Sequence, residues 1–131
     1  MQRDGRNPKY LPSVQLDASR LNLSGNLAQI VAESKYLFLV IPSAYVASTL
    51  EQLPRIAYKG KKFISAIKGV HPDKRVSVSV YLENMLKVKR NDICVISGPT
   101  HAEEASRCMP TFLTMASSSP TLAVEVEQMM R

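Results

Sequence analysis

Short apolar runs recur along this chain at a spacing that leaves room for a helix between them. Tyr36–Ile41 is a continuous apolar run, and Phe63–Ile67 and Ile93–Ile96 contain two more. Unbroken runs of this length are typical of strands that are covered on both faces, as in a parallel sheet. Weaker strand patterns at Leu21–Leu23 and Pro110–Ala116 predict two further strands.

Helical patterns lie between these runs. Asn26 and Ser119 are placed to cap helices over Leu27–Glu33 and from Pro120 to the chain end, because their side chains accept bonds from free N–H groups. Three further helices are predicted: Ala44–Leu53, which Ser43 would cap and Pro54 would end, Val76–Lys87, and Ala102–Arg107. This alternation predicts an α/β fold, with a mostly parallel sheet and flanking helices.

Length and composition narrow the class of protein. The 131 residues, 45% of them hydrophobic, fit one domain, with an irregular segment expected over residues 1–20. No apolar run approaches the length of a membrane span, which is about 20 residues. The polar start Met1–Arg6 lacks the apolar middle of a signal peptide. We therefore expect a cytoplasmic protein.

The two cysteines predict neither a metal site nor a disulfide. Cys94 and Cys108 belong to no CxxC pair, and no histidine stands at ligand spacing from them. In a reducing compartment such residues are most often buried thiols, which is the expectation for both.

A net charge of +6 favours anionic partners. The cations form small separate clusters that we expect in solvated caps and turns: Lys59, Lys61 and Lys62; Lys74 and Arg75; and Lys87, Lys89 and Arg90. No arginine-rich tract or aromatic ladder accompanies them, so the sequence gives little support to nucleic-acid binding.

Polar or turn-forming residues follow three of the predicted strands, at Pro42, Lys68 and Ser97–Thr100. Ligands of open parallel sheets bind beyond the carboxyl ends of the strands, so these residues predict one composite site. Lys68, which precedes a glycine, would reach over the sheet edge toward an anion. The alternative is an ordinary solvated lysine.

The turn Ser97–Thr100 leads into the helix predicted from Ala102, whose first N–H groups would attract phosphate. Thr100 would cap that helix and also bond a substrate hydroxyl, although a plain turn and cap explains the pattern equally well. His71 and His101 are expected at the surface rather than in acid–base catalysis. Glu103-Glu104 fits the first turn of a helix, where carboxylates favour the dipole.

Four motifs occur in an order that resembles one enzyme family: Asn7–Pro12, Val40–Ser43, Ser65–Val70 and Ser97–Glu104. They are similar to the nucleotide-binding domain of bacterial NAD(P)-dependent glycerol-3-phosphate dehydrogenases. The resemblance implies a partial Rossmann-like fold and either NAD or NADP as cofactor. It also implies hydride transfer between dihydroxyacetone phosphate and glycerol 3-phosphate, the reaction that supplies the backbone of phospholipids.

The resemblance also implies roles for individual residues. Lys68 would contact both cofactor and substrate, and Gly98 and Thr100 would line the substrate. Ala102 would approach the cofactor through its backbone, and Pro42 would lie beside the nicotinamide. No residue of this chain is implied as catalytic, since the family's catalytic lysine belongs to a helical C-terminal domain and is not Lys68.

The chain departs from the family where the pyrophosphate should bind. The family opens with a GxGxxG turn, whereas the five glycines here are at 5, 25, 60, 69 and 98. The chain thus matches an incomplete NAD(P)-binding domain over residues 1–131 that would begin after two strands. We expect weak or absent dinucleotide binding, no activity of the isolated chain, and an unpaired strand edge that leads to low stability or a homo-oligomer. The choice between NAD and NADP stays open.

The sequence is also compatible with two functional hypotheses outside the enzyme class. A non-catalytic module that binds a phosphorylated metabolite or a protein partner would be a folded, stand-alone product. A small basic nucleic-acid binder would lose affinity steeply as salt rises.

Overall fold

A four-stranded sheet forms the centre of the computed structural model, which describes residues 5–9 and 12–131. Its strands, in spatial order, are β1 (Tyr36–Leu39), β2 (Lys62–Ser65), β3 (Ile93–Ser97) and β4 (Thr114–Ser117). β1, β2 and β3 are parallel, and β4 is antiparallel to β3. The prediction of a mostly parallel sheet is confirmed.

Among the described residues, five α-helices connect and flank the strands: α1 (Leu27–Glu33), α2 (Val46–Leu50), α3 (Val78–Met85), α4 (Ala102–Ser106) and α5 (Pro120–Met129). The predicted caps of the first and last are confirmed. Asn26 Oδ1 accepts from the Gln29 N–H at 3.1 Å, and Ser119 Oγ accepts from the Leu122 N–H at 3.3 Å. Short 3-10 turns lie at Ala18–Arg20, Ser43–Tyr45, Arg55–Tyr58 and Arg90–Asp92.

The core lies on both faces of the sheet. On one face, Leu37 and Phe63 pack with buried residues of α1, α2 and α3. On the other face, Ile64 and Cys94 pack against Leu122 of α5 and its neighbour Val126. Because successive side chains of a strand point to opposite faces, this arrangement makes three layers with the sheet between helices.

Coverage of β1 differs from the prediction. The unbroken apolar run predicted burial on both faces, yet Phe38 is 40% exposed and Val40 is 72% exposed. α5, which covers that face farther along the sheet, meets β1 through a hydrogen bond of 2.9 Å from the Tyr36 hydroxyl to Glu125. β1 is one of the two edge strands of the described sheet, so the backbone groups on its outer side face away from the sheet.

Three predicted elements are absent, divided or shortened in the structure. No strand forms at Leu21–Leu23, because no strand of the described sheet lies beside it. The helix predicted over Ala44–Leu53 is a 3-10 turn followed by the five-residue α2, and Ser43 makes no capping bond. The last strand begins at Thr114 rather than near Pro110.

The cysteines divide between core and surface. Cys94 is buried in β3, as predicted, and burial raises the pKa of its thiol. The prediction for Cys108 is wrong: it is exposed, at φ 55° in the turn after α4. Both thiols are free.

Candidate active-site edge

Parallel pairing brings the predicted site residues to one side of the sheet. β1, β2 and β3 run in the same direction, so the residues that follow them emerge at a common edge. We call Pro42, Lys68 and the turn Gly98–Thr100 the carboxyl edge. Since β2 lies between β1 and β3, Lys68 emerges between the other two groups.

Lys68 follows β2 through a short, hydrogen-bonded connection. The Ala66 N–H donates to Leu39 O at 3.1 Å, and the Ile67 N–H donates to Ser65 Oγ at 3.4 Å. Lys68 itself is exposed, and its side chain forms no hydrogen bond or ion pair in the described part of the chain. Its positive charge is therefore open to an anion at the carboxyl edge.

His71 holds the loop beyond Lys68, and the prediction made for it was wrong. His71, expected at the surface, is 3% exposed, and its ring stacks on Tyr81 with centroids 4.7 Å apart. Its Nδ1 accepts from the Lys74 N–H at 3.4 Å, and its backbone bonds Val76 O at 2.8 Å. These contacts fix the loop that continues from Lys68 into α3.

Tyr81 links this loop to α2. Its hydroxyl donates to Glu51 Oε1 at 2.9 Å. Burial makes the larger contribution and the hydrogen bond to Glu51 the next, and together they raise the pKa of Tyr81 to about 12. The phenol therefore stays protonated and continues to donate this hydrogen bond. No local sequence signal marked either ring, because their stacking depends on a turn that brings residues 71 and 81 together.

Gly98 lies where another part of the chain crosses the end of β3. At its φ of +153°, a Cβ would stand 2.1 Å from the carbonyl oxygen of Phe112, far inside contact distance. The Thr100 N–H donates to Gly98 O at 3.0 Å, which closes the turn. Glycine is required here so that the segment leading into β4 can pass.

The role predicted for Thr100 as a helix cap is wrong. His101 occupies the N-cap position of α4 without a side-chain bond, and it is exposed, as predicted. The Thr100 hydroxyl instead bonds the Thr111 hydroxyl, because the chain crossing at Gly98 brings residue 111 close. Glu103 and Glu104 lie exposed in the first turn of α4.

In the motif at Asn7–Pro12, Tyr10 and Leu11 lie outside the described residues. Within the described ranges, no three His, Cys, Asp or Glu side chains are grouped as metal ligands would be. No helix among them has the length and apolar character needed to cross a membrane.

Solved structures share this fold. The chain superimposes on glycerol-3-phosphate dehydrogenase from Coxiella burnetii with a TM-score of 0.80 and 22% identity, over 96% of this chain and 38% of that one. The Plasmodium falciparum glycerol-3-phosphate dehydrogenase gives a TM-score of 0.81 over 94% of this chain and 34% of that one, also at 22% identity. Both likenesses support the Rossmann-like arrangement.

Curated relatives match in sequence as well. Glycerol-3-phosphate dehydrogenase [NAD(P)+] of Bacillus subtilis is 32% identical over 124 residues, which are 94% of this chain and 36% of that protein. The Clostridium botulinum protein of the same name is 33% identical over 126 residues, again 36% of its length. The chain thus spans about a third of these relatives. The sequence model of one family, the N-terminus of NAD-dependent glycerol-3-phosphate dehydrogenase, matches residues 1–123. The chain therefore belongs to that family.

Proposed function

We propose that this chain supplies part of the nucleotide-binding domain of a cytoplasmic, NAD(P)-dependent glycerol-3-phosphate dehydrogenase. The observation that carries the proposal is the carboxyl edge, where an unpaired cation at Lys68 emerges beside the turn Gly98–Thr100. Family membership and the share of the relatives that is matched support the same assignment. The two free thiols fit a reducing compartment.

In this proposal Lys68 attracts the phosphate-bearing substrate and holds it against the end of the sheet. The ammonium has no competing partner among the described residues, so binding an anion breaks no existing ion pair. The Thr100 hydroxyl is engaged with Thr111 and is therefore held in place to bond a substrate oxygen. Gly98 presents only backbone atoms to the substrate. The space that a side chain would need at this position is filled by the backbone of Phe112.

The residues present fit part of an NAD(P) cofactor. Pro42 and Lys68 belong to the carboxyl edge, and Ala102 begins α4 directly after it, so in this proposal the group would lie across the strand ends. The cofactor supplies or accepts a hydride when bound. No glycine-rich pyrophosphate turn occurs within residues 1–131, so we expect these residues alone to bind the cofactor weakly or not at all and to have no activity.

The binding half of this proposal can be tested on the chain itself. Amide chemical shifts are recorded while glycerol 3-phosphate is added to millimolar concentration, with glycerol as the uncharged control. We expect movement of the amides of Lys68, Gly69 and Thr100, and no response there to glycerol. Shifts confined to other parts of the chain would contradict the assignment of this edge.

We further propose that the chain self-associates through the outer edge of β1. Exposed Phe38 lies in the edge strand β1 and exposed Val40 directly follows it, and edge strands readily pair with another chain. Sedimentation velocity should show a dimer or larger species that dissociates on dilution, and Val40→Lys should shift it toward monomer. A monomer at all concentrations would rule out this association.

A further inference from the structure

A basic cavity lies at the edge of the sheet opposite Lys68. Its volume is about 400 Å³, within the range of small-molecule sites. We call it the amino-edge cavity, and the charged residues that line it are Arg55, Lys59, Lys61, Lys87, Lys89 and Asp92.

Parallel pairing of β2 and β3 assembles this cavity from two distant segments. Lys59–Lys61 immediately precedes β2, and Lys87–Lys89 precedes the turn into β3, so both segments meet where the strands begin. Left-handed backbone at Gly60, with φ 75°, and at Lys87, with φ 58°, turns the chain at each side. A four-residue strand separates this edge from the carboxyl edge by roughly 13 Å.

Charge at the amino-edge cavity is not balanced within the described residues. The Lys61 ammonium donates to two carbonyl oxygens, Ala32 O at 3.0 Å and Ser34 O at 2.7 Å. Asp92 is already paired with Lys62 at 2.5 Å. The four remaining cations, which are exposed and make no ion pair in the described part of the chain, are Arg55, Lys59, Lys87 and Lys89.

The floor of the cavity is apolar. Tyr58, Leu86 and Val88 are buried beneath it, and Ile56 is largely exposed at its side. The several unpaired cations around the cavity suit a small, multiply charged anion, and the apolar floor suits an apolar part of the same molecule. An extended nucleic acid would instead need a basic stripe along the surface.

We propose that the amino-edge cavity is a second anion site, which binds a small phosphorylated molecule carrying several negative charges. This site shares no residue with the carboxyl edge and does not depend on the proposed dehydrogenase function. Because these four exposed cations have no ion-pair partner among the described residues, several phosphate oxygens can each receive a charge-assisted hydrogen bond. Binding should weaken as ionic strength rises.

The test uses inorganic tripolyphosphate and the full chain, by isothermal titration calorimetry at low salt. We expect saturable binding that the double variant Lys87→Gln/Lys89→Gln weakens about tenfold or more, since bonds to charged groups dominate such a site. The matched control is Arg20→Gln/Arg107→Gln, which removes the same charge from exposed positions outside the cavity. This control should bind tripolyphosphate as the unchanged chain does. Lys68→Gln is titrated beside it to report any binding at the carboxyl edge.

Three outcomes of the tripolyphosphate titration would overturn the proposal. They are absence of binding to the unchanged chain, equal weakening by both double variants, and loss of binding in Lys68→Gln alone, which would place the anion at the carboxyl edge. A duplex DNA that binds through Lys87 and Lys89 and resists displacement by tripolyphosphate would replace the small anion with a nucleic acid. Circular dichroism and thermal unfolding check that each variant is folded. We expect folded variants, because all the substituted residues are exposed.

Discussion

Replacing Lys68 by glutamine is expected to lower kcat/KM for dihydroxyacetone phosphate about a hundredfold in a hybrid enzyme. In this hybrid, the chain replaces the aligned segment of the Bacillus subtilis dehydrogenase, with which it shares 32% identity. Hydrogen bonds to charged groups contribute about 1.5–3 kcal/mol, and each 1.36 kcal/mol of barrier is tenfold in rate. Glutamine keeps the polarity of the side chain and removes its charge.

The matched control for this loss is Lys74→Gln in the same hybrid. Lys74 is also exposed and lies in the loop that continues from Lys68. Its substitution therefore removes an equal charge nearby. Its kcat/KM, measured by NADH oxidation, should stay within about twofold of the parent. Equal losses in both variants would mean that general electrostatic attraction, and not a contact at Lys68, attracts the substrate.

Replacing Gly98 by alanine is expected to lower the free energy of unfolding by about 3 kcal/mol or more. The new Cβ would stand 2.1 Å from Phe112 O, and a backbone oxygen cannot rotate away as a side chain can. The entry to β4 would have to move, and the pairing of β3 with β4 would weaken. Urea unfolding, followed by circular dichroism, measures the loss.

Two other glycines separate this clash from conformational effects. A Cβ at Gly60, where φ is +75°, meets nothing within 4 Å, so alanine there should cost about 1 kcal/mol through backbone strain alone. Gly25 also has open space and no positive φ, so alanine should change stability by less than about 0.5 kcal/mol. If Gly98→Ala cost no more than Gly60→Ala, the close approach of Phe112 would be wrong.

Local signals in the sequence predicted the elements that depend on near neighbours. Asn26 and Ser119 cap their helices because the N–H groups that they accept from lie three residues ahead. The order of apolar runs likewise predicted β1, β2 and β3 and their common direction, which placed Lys68 and Gly98 at one edge. The caps follow from residues only three positions apart in the sequence. The shared strand direction follows from the rules by which helices connect parallel strands.

Features that depend on long-range contacts were not predictable. His71 is buried because a turn folds it onto Tyr81, and Thr100 bonds Thr111 because the chain crosses at Gly98. Lysines at 59 and 87 looked like separate solvated clusters, and only the pairing of β2 with β3 brings them together. The exposure of Phe38 could not be predicted either, because an apolar run does not indicate which face lacks a covering helix.

Turnover by the hybrid enzyme without further substitutions tests the central claim most directly. If the carboxyl edge of this chain is a working part of a dehydrogenase site, the hybrid will oxidise NADH or NADPH only when dihydroxyacetone phosphate is present, and glycerol 3-phosphate will accumulate in equal amount. A hybrid that folds and assembles like the Bacillus subtilis enzyme yet turns over neither cofactor would contradict the claim.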